Sequence, residues 1–220
     1  MKSKKNFIIL FVVISCIFMA IVDLVIQPSY IIKSLIKNLV FFIVPIFLFK
    51  YFEIQLFDNF RLNKRCLLKL CALGLSVYVI TMFSYFIAKN VFDFKDVVGT
   101  LMINHSIKSN YFIYVALYIS FGNSLLEEFF FRLIGCIKLG EYSSKKFAYI
   151  FSSLLFALYH IGMIGRSFPI SLTIISVICL FILGVIFNHV NEKNKNIFNS
   201  WFVHMFANFA INTVGFILFG

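Results

Sequence analysis

Apolar residues in this chain form long unbroken stretches, not the one-sided spacing of a helix lying half-buried on a soluble core. The first runs from Phe7 to Ile26, and others are centred on Leu39 to Phe52, Leu67 to Ala88, Tyr111 to Leu139, Phe147 to Gly165, Phe168 to Val190 and Ile197 to Phe219. A bilayer core about 30 Å thick is crossed by roughly 20 helical residues. Each run therefore reads as a spanning helix, and the pattern predicts an all-α, polytopic transmembrane bundle of about seven spans. The second run is short between Lys37 and Lys50 and contains Pro45, which places its start nearer Ile31, with Lys33 and Lys37 snorkelling to the interface. The first run follows Lys2, Lys4 and Lys5, and Val13 to Cys16 sketch a lipoprotein cleavage box. It continues well past Cys16, beyond the length of a signal-peptide core, so it is read as a helix that stays. The longer connections, Tyr51 to Arg65 and Lys89 to Asn110, suit interfacial amphipathic stretches. There is no internal repeat and no low-complexity linker.

Composition supports this reading. The 220 residues are 61% hydrophobic and 13% charged, with a mean hydropathy of +0.96. Soluble domains carry about 25% charged residues, so a water-soluble globule, a disordered chain and a disulfide-stapled scaffold are all excluded. The net charge of +11 would suggest nucleic acid in a soluble protein. Here the basic residues sit at the ends of apolar runs, so the expected partner is the lipid bilayer and no nucleic acid is expected. With the N-terminus inside, the inner segments hold Lys2, Lys4, Lys5, Lys50, Arg61, Lys64, Arg65, Lys69, Lys138, Lys145, Lys146, Lys193 and Lys195, against Lys33, Lys37, Lys89, Lys95, Lys108 and Arg166 outside. That bias predicts a cytoplasmic N-terminus. The five cysteines, Cys16, Cys66, Cys71, Cys136 and Cys179, form no Cys-x-x-Cys pair and read as small buried hydrophobes. An abundance of Phe, Ile, Asn and Lys suggests an AT-rich bacterial genome and hence a bacterial plasma membrane.

A charged side chain at mid-membrane costs about 2.5–3.5 kcal/mol on insertion scales, so each one there needs a partner or a function. The fourth run holds Glu127, Glu128 and Arg132. Glu128 and Arg132 are four residues apart and can pair on one face, which leaves Glu127 pointing elsewhere without a structural need. His160 closes Phe156-Ala-Leu-Tyr-His160, and His204 opens His204-Met-Phe-Ala-Asn208, with Asn212 on the same stripe. Counted inward at about 1.5 Å per residue, Glu127, His160 and His204 lie at depths of roughly 16, 21 and 10 Å, close enough for one shared site. His105 and His189 sit in or beside loops and Asp23 lies near the outer end of the first span; these read as solvated or structural.

Glu127-Glu128 with Arg132, Phe156 with His160, and His204 with Asn208 resemble the Glu-Glu-x-x-x-Arg, Phe-x-x-x-His and His-x-x-x-Asn signatures of the CPBP family of intramembrane proteases, also called the Abi or CAAX-protease family. The resemblance covers residues 111–220, taken as catalytic helices. Residues 1–110 carry helices and loops without a recognised motif, integrated into the same membrane domain. Leu133 departs from relatives that often have Gly after the Arg. The resemblance implies an endopeptidase acting on membrane-associated or secreted peptides and proteins. In it Glu127 would take a proton from water oriented by His160, His204 and Asn208 would stabilise the oxyanion, and Glu128 with Arg132 would support the helix or anchor substrate. No cofactor is assigned. Zinc is an alternative, with Glu127, His160 and His204 as candidate ligands, although no His-Glu-x-x-His spacing is present. A non-catalytic scaffold or bacteriocin self-immunity protein, a transporter and a lipid hydrolase are competing readings.

Overall fold

A computed structural model describes residues 2–56, 67–92, 112–165, 167–192 and 195–219. Among these the regular structure is entirely helical. Helix α1 (Lys2–Ile21) continues through a π-helical turn (Val22–Ile26). It stops at Gln27, whose left-handed conformation (φ 51°) brings its N–H to the Val22 carbonyl at 2.8 Å. Pro28 follows, and α2 (Tyr30–Tyr51) begins after Ser29. Pro45 is accommodated inside α2 because a π-helical turn (Leu39–Ile43) precedes it, loosening the backbone where the proline supplies no N–H. Helix α3 spans Leu67–Ala88, α4 residues 112–142, α5 Lys145–Ile164, α6 Ile170–Glu192 and α7 Ile197–Phe219.

Six of these helices, all but α4, are long and apolar enough to cross a membrane. The expected fourth span exists as one continuous helical rod, but π-helical stretches (Tyr118–Asn123 and Glu128–Lys138) divide it and it carries the charged motif. The chain is therefore an integral membrane protein with an all-α fold, its seven apolar runs appearing as six apolar spans and one polar-bearing helix. The segments expected to be amphipathic lie mostly outside the described residues, as do His105 and Cys66.

Small residues set the closest helix crossings. Gly184 of α6 faces Ser153 of α5, where an added Cβ would fall 3.0 Å from the Ser153 backbone. Gly74 of α3 faces the Phe206 ring of α7, where one would fall 2.6 Å away. In a bilayer, where apolar burial separates no helix from lipid, such close approach is what holds helices together. Around α4 the core is aromatic: Phe130 stacks on Phe41 of α2 at 3.9 Å and 4°, and Phe131 meets Phe156 of α5 edge-on at 5.4 Å. Helices α1 and α2, from the half without a motif, thus pack directly against α4 and α5. The start of α1, the end of α2, the start of α5 and the end of α6 share one end of the bundle, where Lys4 donates to the Glu53 carbonyl at 3.2 Å and Lys145 lies 3.9 Å from Glu192. Of the described cysteines, Cys16 and Cys136 are buried as expected, whereas Cys179 is exposed on α6.

Candidate active site

Helix α4 supplies the centre. Where its helical stretch Ser124–Glu127 gives way to π-helix, Glu127 and Glu128 project in different directions, and both are fully enclosed, at 2% and 0% exposure. π-Helical segments inside α-helices are frequent at functional sites because they re-aim side chains that a regular helix would place otherwise. The expected pairing of Glu128 with Arg132 is present, at 3.4 Å between Oε2 and Nε. Glu128 is further held by the Ser200 hydroxyl of α7, which donates to Oε2, and by His204 Nδ1 at 2.9 Å from Oε1. Ser200 is itself bonded to Asn191 of α6. The Arg132 guanidinium donates to Ser152 of α5 at 3.2 Å and lies over the rings of Phe156 and Phe187. The Glu128 side of the site is thus a closed network of four helices.

Glu127 faces away from that network. Its Oε1 accepts from Lys37 Nζ of α2 at 2.5 Å and from Asn123 Nδ2 at 3.0 Å. Its Oε2 lies 3.9 Å from His160 Nε2 and 3.7 Å from His204 Nε2. Both imidazoles are oriented from behind. His160, where α5 turns, places Nδ1 2.7 Å from the Phe156 carbonyl, and a carbonyl only accepts, so Nδ1 carries the proton there. His204 likewise offers Nδ1–H to the Glu128 carboxylate and stacks on Phe187 at 5.0 Å. In the neutral ring both Nε2 atoms then present lone pairs toward Glu127 Oε2.

Five of the six residues singled out from sequence, Glu127, Glu128, Arg132, His160 and His204, are therefore assembled in one place. Asn208 is engaged elsewhere: its amide donates to the Ile119 carbonyl at 3.0 Å, and Asn212 donates to Ala116 and Ser120 one turn on. Together they tie α7 to the first half of α4. Lys37 corrects the sequence reading. It does not snorkel to the interface but is 5% exposed, shared between Glu127 and Asn123 Oδ1, and lies over the rings of Phe41 and Tyr159. The signal for it was available, since an intramembrane lysine and an intramembrane carboxylate with no assigned partner satisfy each other. One turn earlier Lys33 pairs with Asp23 of α1 at 2.6 Å, which gives Asp23 a structural role. His189 is exposed beside Glu192, as expected.

Residues 109–210 match the family model described as "Type II CAAX prenyl endopeptidase Rce1-like". The match, over just under half of the chain, supports the CPBP (Abi/CAAX protease) family for this segment. CPBP proteins of this kind are membrane proteases, and the matched segment contains Glu127, Glu128, Arg132, His160, His204 and Asn208 but not Lys37. No curated protein and no solved structure matches the chain significantly. As to a metal, no group of three or more His, Cys, Asp or Glu among the described residues is arranged to hold one. The carboxylate that would be the third ligand already faces an ammonium at 2.5 Å, a like charge to any dication placed beside it. That charge disfavours a zinc ion at Glu127.

Proposed function

We propose that this protein is an intramembrane endopeptidase that hydrolyses peptide bonds of membrane-associated or secreted peptides and proteins by metal-free, glutamate-activated water. The observation that carries the reading is the convergence of Glu127 Oε2 with His160 Nε2 and His204 Nε2 at 3.9 and 3.7 Å, each ring fixed by a hydrogen bond on its far side. Acceptors facing one another at this separation are matched by a molecule that donates to both, and water has the two protons required. A water donating to Glu127 Oε2 and His160 Nε2 keeps a lone pair for a substrate carbonyl carbon. As the C–O bond forms, Glu127 takes the water proton and the carbonyl π electrons move onto oxygen. For this step His204 carries a second proton, taken up from solvent before substrate binds and kept throughout, so that with Nδ1–H on Glu128 its Nε2–H is offered to that oxyanion. Collapse breaks the C–N bond while Glu127 returns its proton to the leaving nitrogen, giving a carboxylic acid and an amine.

In this reading Glu128 and Arg132 hold His204, and Asn208 fixes the helix that carries it. The basic end of the bundle faces the cytoplasm, with the N-terminus inside a bacterial plasma membrane. The test is comparative peptidomics of membranes from cells carrying wild-type protein or Glu127→Gln. Peptides that are cut only with the wild type are expected. Identical peptidomes with equal amounts of both proteins would contradict protease activity and favour a scaffold or immunity role.

A further inference from the structure

We infer that Lys37, which lies outside the family-matched segment, is a positioning residue for the Glu127 carboxylate, so the working site is completed by α2. This rests on Glu127 being the base, as proposed above. A glutamate carboxyl turns about its last torsion with little preference between broad, roughly two-fold orientations. Either oxygen can then meet the histidines, or neither. Lys37 Nζ at 2.5 Å and Asn123 Nδ2 at 3.0 Å both engage the same oxygen, Oε1, and leave Oε2 as the atom aimed between His160 and His204. Lys37 and Asn123 are also bonded to each other at 2.6 Å, so the three groups form a closed triangle with one outward-facing acceptor.

The lysine is itself held. Its Nζ lies over the Phe41 and Tyr159 rings, 5.6 and 5.0 Å from their centroids, and Phe41 is stacked on Phe130 of α4. One turn along α2, Asn38 donates to the Tyr118 hydroxyl at 2.9 Å, fixing the rotation of α2 against α4. Charge points the same way. Glu127 and Glu128 are adjacent carboxylates, and when Glu127 takes the water proton its negative charge passes to the oxyanion, so the site carries two negative charges throughout. Arg132 is committed to Glu128. Lys37 is the cation that contacts Glu127, and it does so from the side away from the histidines.

The experiment uses the full-length protein in cell membranes and the native membrane peptides as probe. Cleavage products are normalised to folded protein measured by detergent thermal melts. Lys37→Met is expected to lower product by on the order of 10²-fold, the scale of a misplaced reacting group. Lys37→Arg, which keeps the charge and donors, is expected to recover most of it. Asn123→Ala, which leaves both charges in place, is expected to lose less than Lys37→Met while melting near wild type. It therefore decides the matter if Lys37→Met does not fold. Wild-type product per folded protein from both Lys37→Met and Asn123→Ala, with Glu127→Gln inactive, overturns the positioning role and leaves the function intact. Wild-type product from Glu127→Gln overturns the function instead.

Discussion

The two neighbouring carboxylates of α4 sit in different surroundings although they are consecutive in sequence. Glu128 is enclosed by Arg132, Ser200 and His204, groups contributed by α4 and α7, and the network behind it reaches α5 and α6. Glu127 has one oxygen tied to Lys37 and Asn123 and the other facing two imidazole nitrogens that it does not directly bond. The cations differ in kind as well. Arg132 presents a planar fork of donors, whereas Lys37 is a compact point charge on a single nitrogen. A carboxylate held on both oxygens builds rigidity, and an oxygen with no direct hydrogen bond is available for chemistry. Glu128 accordingly holds the site together, and Glu127 works in it.

Several substitutions would break or sharpen this contrast. The largest effect on stability is expected from Arg132→Ala, which strands Glu128 in a fully closed site: about 3–5 kcal/mol, read as a lowered melting temperature in detergent. Normal stability with lost cleavage would move Arg132 to the Glu127 side, as a substrate contact. His160→Ala is expected to lower turnover by about 10²-fold, the lower end for losing a group in proton transfer, while melting close to wild type, since its one anchor is a local bond to Phe156. Asn208→Ala is expected to cost roughly 0.6 kcal/mol of stability, typical of an interhelical hydrogen bond in a membrane, with turnover nearly unchanged. A loss of about 10²–10³ in turnover would instead make Asn208 an oxyanion donor. A chelator that crosses the bilayer is expected to leave cleavage unchanged, because Lys37 occupies the position from which a dication would be repelled. Silencing by the chelator, reversed by zinc, would refute that.

Much of the site was legible from sequence, for a physical reason. Charges inside apolar runs are rare and costly, so Glu127, Glu128, Arg132, His160 and His204 stood out, and depth counting allowed the three helices to meet. The Glu128–Arg132 pair followed from four-residue spacing alone. Lys37 was misread because a lysine in the first turns of a span ordinarily snorkels, and which way it turns depends on a partner from another helix. The sequence start near Ile31 agrees with the start of α2 at Tyr30, so what was missed is that Lys37 turns inward to Glu127 and not outward. Asn208 shares a helical face with His204, but which neighbour an amide meets depends on how far α4 and α7 slide past each other, and no periodicity records that. The π-helical stretches of α4 were equally invisible, since no residue type marks them.

The contrast between the two carboxylates is tested most directly by measuring Glu127→Gln and Glu128→Gln together, each purified in detergent, for melting temperature and for cleavage of the peptides that distinguish wild-type membranes. Glutamine preserves shape and removes the charge and the proton acceptor. Glu127→Gln is expected to melt near the wild type, because the glutamine carbonyl still accepts from Lys37 and Asn123, and to lose cleavage by roughly 10²–10⁴ or more. Glu128→Gln is expected to melt markedly lower, because Arg132 cannot discharge, and to retain measurable cleavage in the fraction that stays folded. A folded Glu127→Gln protein that cleaves at the wild-type rate, beside a stable and inactive Glu128→Gln, would reverse the assignment and contradict the account.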